Sequence, residues 1–312
     1  MFLSTFAAKF CANKSRNKLF YSIKNELLFQ FMKIQKIEAG TFYVDGGAAF
    51  GVVPKIVWQK RYPCNDDNYC KVSMRCLLID TGERKVLIDT GTGDKQLDYL
   101  KYYGFEGVIN FDVELEKLGY KATDITDVIF THLHFDHCGG ATRYNADKSA
   151  VELVFPNATH WVGEAQWNNY LNPNVREGDS YFKENVVPIF EAGKLKTVSE
   201  NQFVCPEVEV RLYSGHTFGQ LVSYINLGSK TLIYCGDVIP LAANVPLAWI
   251  SSYDIFPLTA MEDKKKLLDE AVEKEQILFF EHDTYTECCT VAANYSKHKV
   301  LETFTLAELL NL

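Results

Sequence analysis

The chain has 312 residues, 47% hydrophobic and 23% charged, which is the balance of an ordinary globular protein able to bury a sizeable core. Its formal net charge is −8 and no stripe of Lys and Arg runs through its body, which argues against a nucleic-acid backbone as the main partner. No apolar run approaches the roughly 20 residues that span a bilayer, so no membrane partner is expected. The nine cysteines, odd in number, scattered and without a Cys-x-x-Cys pair, fit a reduced, cytoplasmic protein.

Met1 to Asn25 carries Lys9, Lys14, Arg16, Lys18 and Lys24 and no acidic residue, a composition like that of an organellar transit peptide. A clean alternating strand begins only at Met32, so 1–31 is read as an N-terminal extension and 32–312 as one domain. Ile34 to Val44 is a strand ended by Gly46-Gly47. The stretch from Ala48 to Tyr69 holds Phe50, Pro54, Trp58, Tyr62 and Pro63, and its length and aromatics suit a lid or a homodimer contact. Val72 to Asp80 and Lys85 to Asp89 form a hairpin over Thr81-Gly82-Glu83-Arg84, delivering Asp89-Thr90-Gly91. Phe111, Leu115 and Leu118 have helical spacing, with Gly119 as C-cap. Asp127 to Thr131 is then a buried, β-branched strand.

The next ten residues concentrate the chemistry. His132, His134, Asp136 and His137 fall within six positions, followed by Gly139-Gly140, where the backbone can turn sharply with φ > 0. In extended backbone His132 and His134 put their rings on one side, while Asp136 and His137 reach a second point close by. That layout suits two adjacent metal ions. Cys138, beside them, reads as a small buried thiol.

Val151 to Phe155 and Thr159 to Val162 read as strands, and Glu164 to Leu171 and Tyr181 to Ala192 as helices. The aromatics of this region (Trp161, Trp167, Tyr170, Tyr181 and Phe182) read mostly as core. Val208 to Tyr213 alternates and breaks at Ser214-Gly215-His216-Thr217. A second hairpin, Leu221 to Leu227 and Thr231 to Cys235, delivers Gly236-Asp237 much as the first delivers Asp89. Thr259-Ala260-Met261-Glu262 has the form of a capping box opening a helix to about Glu275. Ile277 to Phe280 is a buried strand carrying Glu281-His282-Asp283, and Thr303 to Leu310 is a final helix. Of the seven histidines, His160 and His298 fall in a strand and a polar helical stretch and look incidental.

The run from His132 to His137 resembles the His-x-His-x-Asp-His motif of the metallo-β-lactamase superfamily, and the later ligands follow in that family's order. The resemblance implies an α/β fold, the four-layer αβ/βα sandwich, with its site at strand ends along one edge. It implies one metal on His132, His134 and His216, a second on Asp136, His137 and His282, and Asp237 bridging them. Asp89 would be an outer carboxylate steadying the ligand loop. Imidazole with carboxylate suits Zn²⁺ best, and Mn²⁺, Fe²⁺ or Co²⁺ would also fit. In that family's chemistry a water between two divalent ions, acidified to about 7, attacks a carbonyl or phosphoryl centre. Asp136 is placed to hold that water and pass a proton to the leaving group.

His134 favours a hydrolase, since the flavodiiron oxidoreductases of the superfamily usually carry Glu there. Phe50-Gly51-Val52-Val53-Pro54, Asp89-Thr90-Gly91 and Gly236-Asp237-Val238-Ile239-Pro240 are similar to the lactonase and organophosphate-hydrolase-like branch. A hydrolase of a small ester or lactone is therefore expected. A glyoxalase II-like thioesterase and a persulfide-dioxygenase-like iron oxidoreductase are the alternatives. Well-known lactonases of acyl-homoserine lactones place Tyr where this chain has Pro240, so modest lactone turnover is expected. Phe50, Trp58, Trp249 and Phe135 are the expected apolar wall for a small-molecule substrate.

Overall fold

Apolar residues alternating along short strands build two sheets, seen in a computed structural model that describes residues 32–295 and 297–311. The extension 1–31 lies outside the described residues. The first sheet joins β1 (Lys33–Asp45), β2 (Tyr69–Asp80), β3 (Lys85–Ile88), β4 (Asp127–Ile129), β7 (Thr159–Gly163) and β8 (Leu195–Val198) in that order. Between its strands, β5 (Thr142–Tyr144) and β6 (Val151–Leu153) pair as a small hairpin. The second sheet runs β15 (Lys297–Phe304), β14 (Cys288–Asn294), β13 (Ile277–Phe279), β12 (Thr231–Tyr234), β11 (Gln220–Asn226), β10 (Val208–Tyr213), β9 (Gln202–Cys205). At the centre of each sheet two strands from distant parts of the chain lie parallel: β3 on β4, and β12 on β13.

The helices are α1 (Gly46–Phe50), α2 (Lys55–Trp58), α3 (Phe111–Lys117), α4 (Phe135–Cys138), α5 (Glu164–Leu171), α6 (Lys183–Glu191), α7 (Pro257–Glu273) and α8 (Leu306–Leu310). The two-residue period of each strand decides what they cover. Leu77, Ile79, Val86 and Ile88 turn toward the other sheet and meet Leu232, Tyr234, Ile277 and Phe279 there. Their neighbours Leu78 and Leu87 turn the other way, into a cluster with Phe111, Leu115, Val186 and Ile189 of α3 and α6. On the far side, Ile233 and Leu278 meet Leu267, Leu268 and Ala271 of α7. Helix, sheet, sheet and helix are thus stacked, the four-layer αβ/βα sandwich of the metallo-β-lactamase fold, with both hydrophobic faces of each sheet covered.

Several boundaries differ from the sequence reading. The stretch 48–69 is not a free loop: Phe50, Trp58 and Tyr62 are fully buried, with Phe50 stacked on Trp58 at 4.9 Å between ring centroids. Helix α7 begins at Pro257, whose fixed φ suits the first turn, and no capping box closes it because its N-cap, Phe256, has no side-chain acceptor. Lys297 to Phe304 is a strand, paired with β14, and the last helix starts only after Thr305, whose hydroxyl and the Glu308 carboxylate form the capping box. His298 therefore sits on a strand, where its ring bonds Asp269 at 2.8 Å. Gly139 has φ −62°, so it makes no left-handed turn. It and Gly140 are glycine because a Cβ there would come within 2.0 Å and 2.1 Å of the carbonyl oxygens of Thr92 and Thr90.

His160, on β7, is buried against Phe130 with no hydrogen-bond partner for either ring nitrogen. Burial pushes its pKa down to about 4. The unfolded chain takes up the proton near pH 6.5 and the folded chain only near 4, so stability contributed by this neutral ring is lost as pH falls across that window. The expected loss is about 3 kcal/mol relative to His160→Leu between those pH values, at about 1.4 kcal/mol per pKa unit. Urea unfolding of both proteins from pH 7 to 4 measures it, and His160→Leu should leave metal content unchanged.

Candidate metal centre

Four strand ends converge on one edge of the sandwich. The chain leaving β4 carries Thr131 to His134 and enters α4, whose single turn brings Asp136 and His137 round to the same side. The turn between β10 and β11 brings His216, the end of β12 brings Asp237, and the end of β13 brings His282. Five of the seven, His132, Asp136, His137, His216 and His282, are buried, while the partly buried His134 and Asp237 reach the cleft.

The seven side chains form two adjoining clusters. In the first, His134 Nδ1 lies 2.9 Å from His132 Nε2 and 3.3 Å from His216 Nε2. In the second, His137 Nε2 lies 3.2 Å from His282 Nε2, and the Asp136 carboxylate is 3.5 Å and 3.7 Å from those two nitrogens. Asp237 stands between them, with Oδ2 at 3.3 Å from His216 Nε2 and Oδ1 at 3.1 Å from His282 Nε2. Histidine and carboxylate atoms within 4.8 Å of one another define both triads, His132–His134–His216 and Asp136–His137–His282, as groups able to hold a metal ion. Imidazole nitrogens this close, aimed at one point with no protein donor between them, fit a cation better than one another.

The outer nitrogens are all engaged, which sets each ring's direction. His137 Nδ1 faces two buried carboxylates, Asp89 at 3.1 Å and Glu281 at 3.0 Å. His216 Nδ1 bonds Asp254 at 2.9 Å, and His282 Nδ1 donates to the Ser73 carbonyl at 2.7 Å. His134 Nε2 meets Glu177 at 3.3 Å. Asp89, placed in the left-handed region at φ 56°, accepts from both the Thr131 N–H and its hydroxyl at 2.7 Å.

Electrostatics sorts the rings. Burial and the neighbouring His137, His134 and His216 hold His132 well below the ordinary imidazole range. Burial likewise lowers His134. Burial would lower His137 too, but Glu281, Asp136 and Asp237 raise it well above. His282 is pushed up to about 9, the Asp237 carboxylate outweighing burial. Asp237 is held well below the carboxylate range by His282, His216 and His137, against the burial that would raise it.

A family model described as the metallo-beta-lactamase superfamily matches residues 75–282, two-thirds of the chain. The chain belongs to the metallo-beta-lactamase superfamily. It is 24% identical over 247 residues to an N-acyl homoserine lactonase of Bacillus cereus, covering 73% of this chain and 88% of that one. Among solved structures it is similar to a probable metal-dependent hydrolase from Staphylococcus aureus, with TM-score 0.78, 26% identity, 88% of this chain and 98% of that one covered. The dizinc quorum-quenching lactonase AidC, in complex with the product N-hexanoyl-L-homoserine, shares the fold at TM-score 0.72 and 22% identity, with 88% and 96% covered.

The sequence reading named seven residues for one constellation, and the structure brings all seven side chains together. It missed three carboxylates. Glu281 adjoins His282 at the same strand end, a signal that was present. Glu177 and Asp254 lie in irregular segments, with no motif to mark them. The expected wall also changes: Phe50 and Trp58 are core, and Trp249 packs edge-on against Phe50 at 6.1 Å outside the cleft lining. Only Phe135 of the four lines the cleft, joined by Phe42, Val72, Tyr103, Leu241 and Tyr253.

His282 makes the metal-free protein sensitive to alkali. Its folded pKa of about 9 lies above the ordinary 6.5, so its contribution is fully present below 6.5 and lost as pH rises through 9. Chelator-treated protein should lose up to about 3 kcal/mol of stability across that range, at about 1.4 kcal/mol per pKa unit. Metal-loaded protein should not, since a cation in place of the proton binds tighter as pH rises. Melting curves at pH 6 and 9, with and without chelator, measure the difference.

Proposed function

We propose that this chain is a dinuclear, zinc-dependent hydrolase of small uncharged esters and lactones. The observation that carries the reading is the placement of Asp237, whose two oxygens face one histidine cluster each. Oδ2 lies 3.3 Å from His216 Nε2 and Oδ1 3.1 Å from His282 Nε2, so one carboxylate can serve a cation in either cluster. His132, His134 and His216 would hold one ion, Asp136, His137 and His282 the other, and Asp237 both. Three nitrogens on one side and two nitrogens with a carboxylate on the other suit Zn²⁺. Bound there, two such ions supply an acidified water as nucleophile and a Lewis acid for the substrate's carbonyl oxygen.

The protein's own residues do the rest. Asp136 lines the cleft beside both nitrogens of the second cluster, placed to orient the water and carry its proton to the leaving oxygen. Phe42, Val72, Phe135 and Leu241 exclude solvent and receive an acyl group. The cleft, about 930 Å³ including its open mouth, is wide enough for a substrate of drug size. Pro240 also lines it and offers no hydroxyl to a lactone carbonyl, while the phenols of Tyr103 and Tyr253 are the hydroxyls on the aromatic side. The lactonase relatives support a lactone or ester, and Pro240 favours modest lactone turnover.

Two measurements test this. Elemental analysis of purified protein should find about two divalent ions per chain, and Asp237→Ala should lose at least one of them. The same substitution should lower kcat/KM by more than the roughly 100-fold typical of outer residues that only orient ligands, with the fold intact by circular dichroism. For substrate, a lactone series, aryl esters, a phosphotriester and a glutathione thioester are assayed side by side. Aryl esters should lead and lactones follow. Preference for the thioester would move the function to a glyoxalase II-like one. One tightly bound iron with oxygen uptake on a persulfide would end the hydrolase reading.

A further inference from the structure

We infer that Glu177 is a positioning residue that fixes the ring of His134, so that the first metal position depends on the segment 172–181 while the second does not. This rests on the dinuclear reading above. The evidence begins with ring direction. His132 and His216 turn Nε2 inward, whereas His134 turns Nδ1 inward and points Nε2 away from the cluster. That outer nitrogen meets Glu177 Oε1 at 3.3 Å.

Glu177 is held far more firmly than a surface carboxylate. It is 2% exposed although it lies outside every sheet. Oε1 accepts from the Thr217 hydroxyl at 2.5 Å and the Tyr181 phenol at 2.9 Å, and Oε2 accepts from the side-chain amides of Asn169 and Asn174. Burying a carboxylate costs several kcal/mol unless such bonds compensate it. Four neutral donors hold it ready for the N–H of His134, which leaves Nδ1 of that ring with a free lone pair. A ring that presents Nδ1 needs this outer partner, because without one the opposite tautomer would put a proton where the ion should sit.

The neighbouring residue extends the arrangement. Arg176 donates to the Ser252 carbonyl, and two residues on Asp254 accepts from His216 Nδ1 at 2.9 Å. Two of the three imidazoles of the first cluster are thus braced by irregular segments that meet at the cleft mouth. The second cluster is braced from the sheets instead: His137 by Asp89 and Glu281 at strand ends, His282 by the backbone of β2. The two ion positions are unequal in what holds them.

The test is metal competition with a chromophoric chelator on the full chain, for wild type, Glu177→Ala and the milder Glu177→Gln. Wild type should titrate as two ions. Glu177→Ala should weaken one of them by about 10–100-fold, the usual loss for an outer residue of a metal-bound histidine, and leave the other unchanged. In Co²⁺-loaded protein the d–d bands of one ion only should change. Glu177→Gln should weaken the same ion to a smaller degree, and decides the matter if the alanine variant does not fold. A readout without metal is the ¹⁵N spectrum of the histidine rings in chelator-treated protein, where His134 should carry its proton on Nε2 in wild type and lose that preference in Glu177→Ala. Wild type with two ions and both variants with unchanged affinities would overturn the inference alone, as would equal weakening of both ions. Wild type that binds no ion would overturn the dinuclear reading and this inference together.

Discussion

The carboxylate of Asp89 is the interaction on which the site's geometry depends. It sits fully buried at the end of β3 and accepts from the backbone and hydroxyl of Thr131 and from His137 Nδ1. One side chain thus ties the end of one central strand to the residue before His132 and to the ring of His137. A carboxylate in that position is tolerable only because every oxygen has a donor. The positive φ of Asp89 is strain of about 1–3 kcal/mol for a non-glycine residue, held by those bonds. The close packing of Gly139 and Gly140 on the carbonyls of Thr92 and Thr90 closes the same loop from the other side. The ligand stretch is rigid because both of its ends are anchored to the strand beside it.

The second sheet reaches the site through a different tie. Arg75, on β2, donates to the carbonyls of Phe280 and Asp283 at 2.8 Å and 2.9 Å, and the hydroxyl of Ser73 donates to the Glu281 carbonyl at 2.6 Å. These bonds grip the backbone on both sides of His282 and register one sheet against the other. Without Arg75 two buried carbonyls would lose their donor, a cost of about 1–3 kcal/mol each. The separation of the His137 and His282 rings is therefore set by a cross-sheet seam, not by the loop that carries His282.

Much of this was legible in the amino-acid order, and the limit has a physical cause. The strands announced themselves because both faces of each sheet are covered, so that Leu77-Leu78-Ile79 and Val86-Leu87-Ile88 are apolar throughout. The seven residues of the candidate centre stood out because histidines and aspartates fall at strand ends, where short spacings such as His132 to His137 survive as motifs. The supports were not readable. Ser73 and His282 are 209 positions apart, and Glu177 and His134 are 43 apart. A carboxylate in a loop has no period to betray which ring it will meet. Phe50 and Trp58 were misplaced for a related reason: a long aromatic stretch looks the same whether it lines a cleft or folds under itself, and burial decided for the latter. Lys297 to Phe304 reads as helical or polar by itself and becomes a strand because β14 leaves an edge to pair.

The balance of charge at the centre explains why support and function share residues. Asp89, Asp136, Glu177, Asp237 and Glu281 gather around the histidines in space from which most water is excluded. Such a cluster repels itself unless positive charge enters it. In the protein alone, protons on His137 and His282 supply part of that charge, which is why both are raised against burial. Divalent ions would supply more, at the points where the inner lone pairs already aim. The outer carboxylates then act in two ways at once: they orient the rings, and they make the pocket electrostatically incomplete without cations. A fold that carries this much buried acid has its stability tied to what occupies the centre, and the same debt of charge is what would draw metal to the cleft and keep it there.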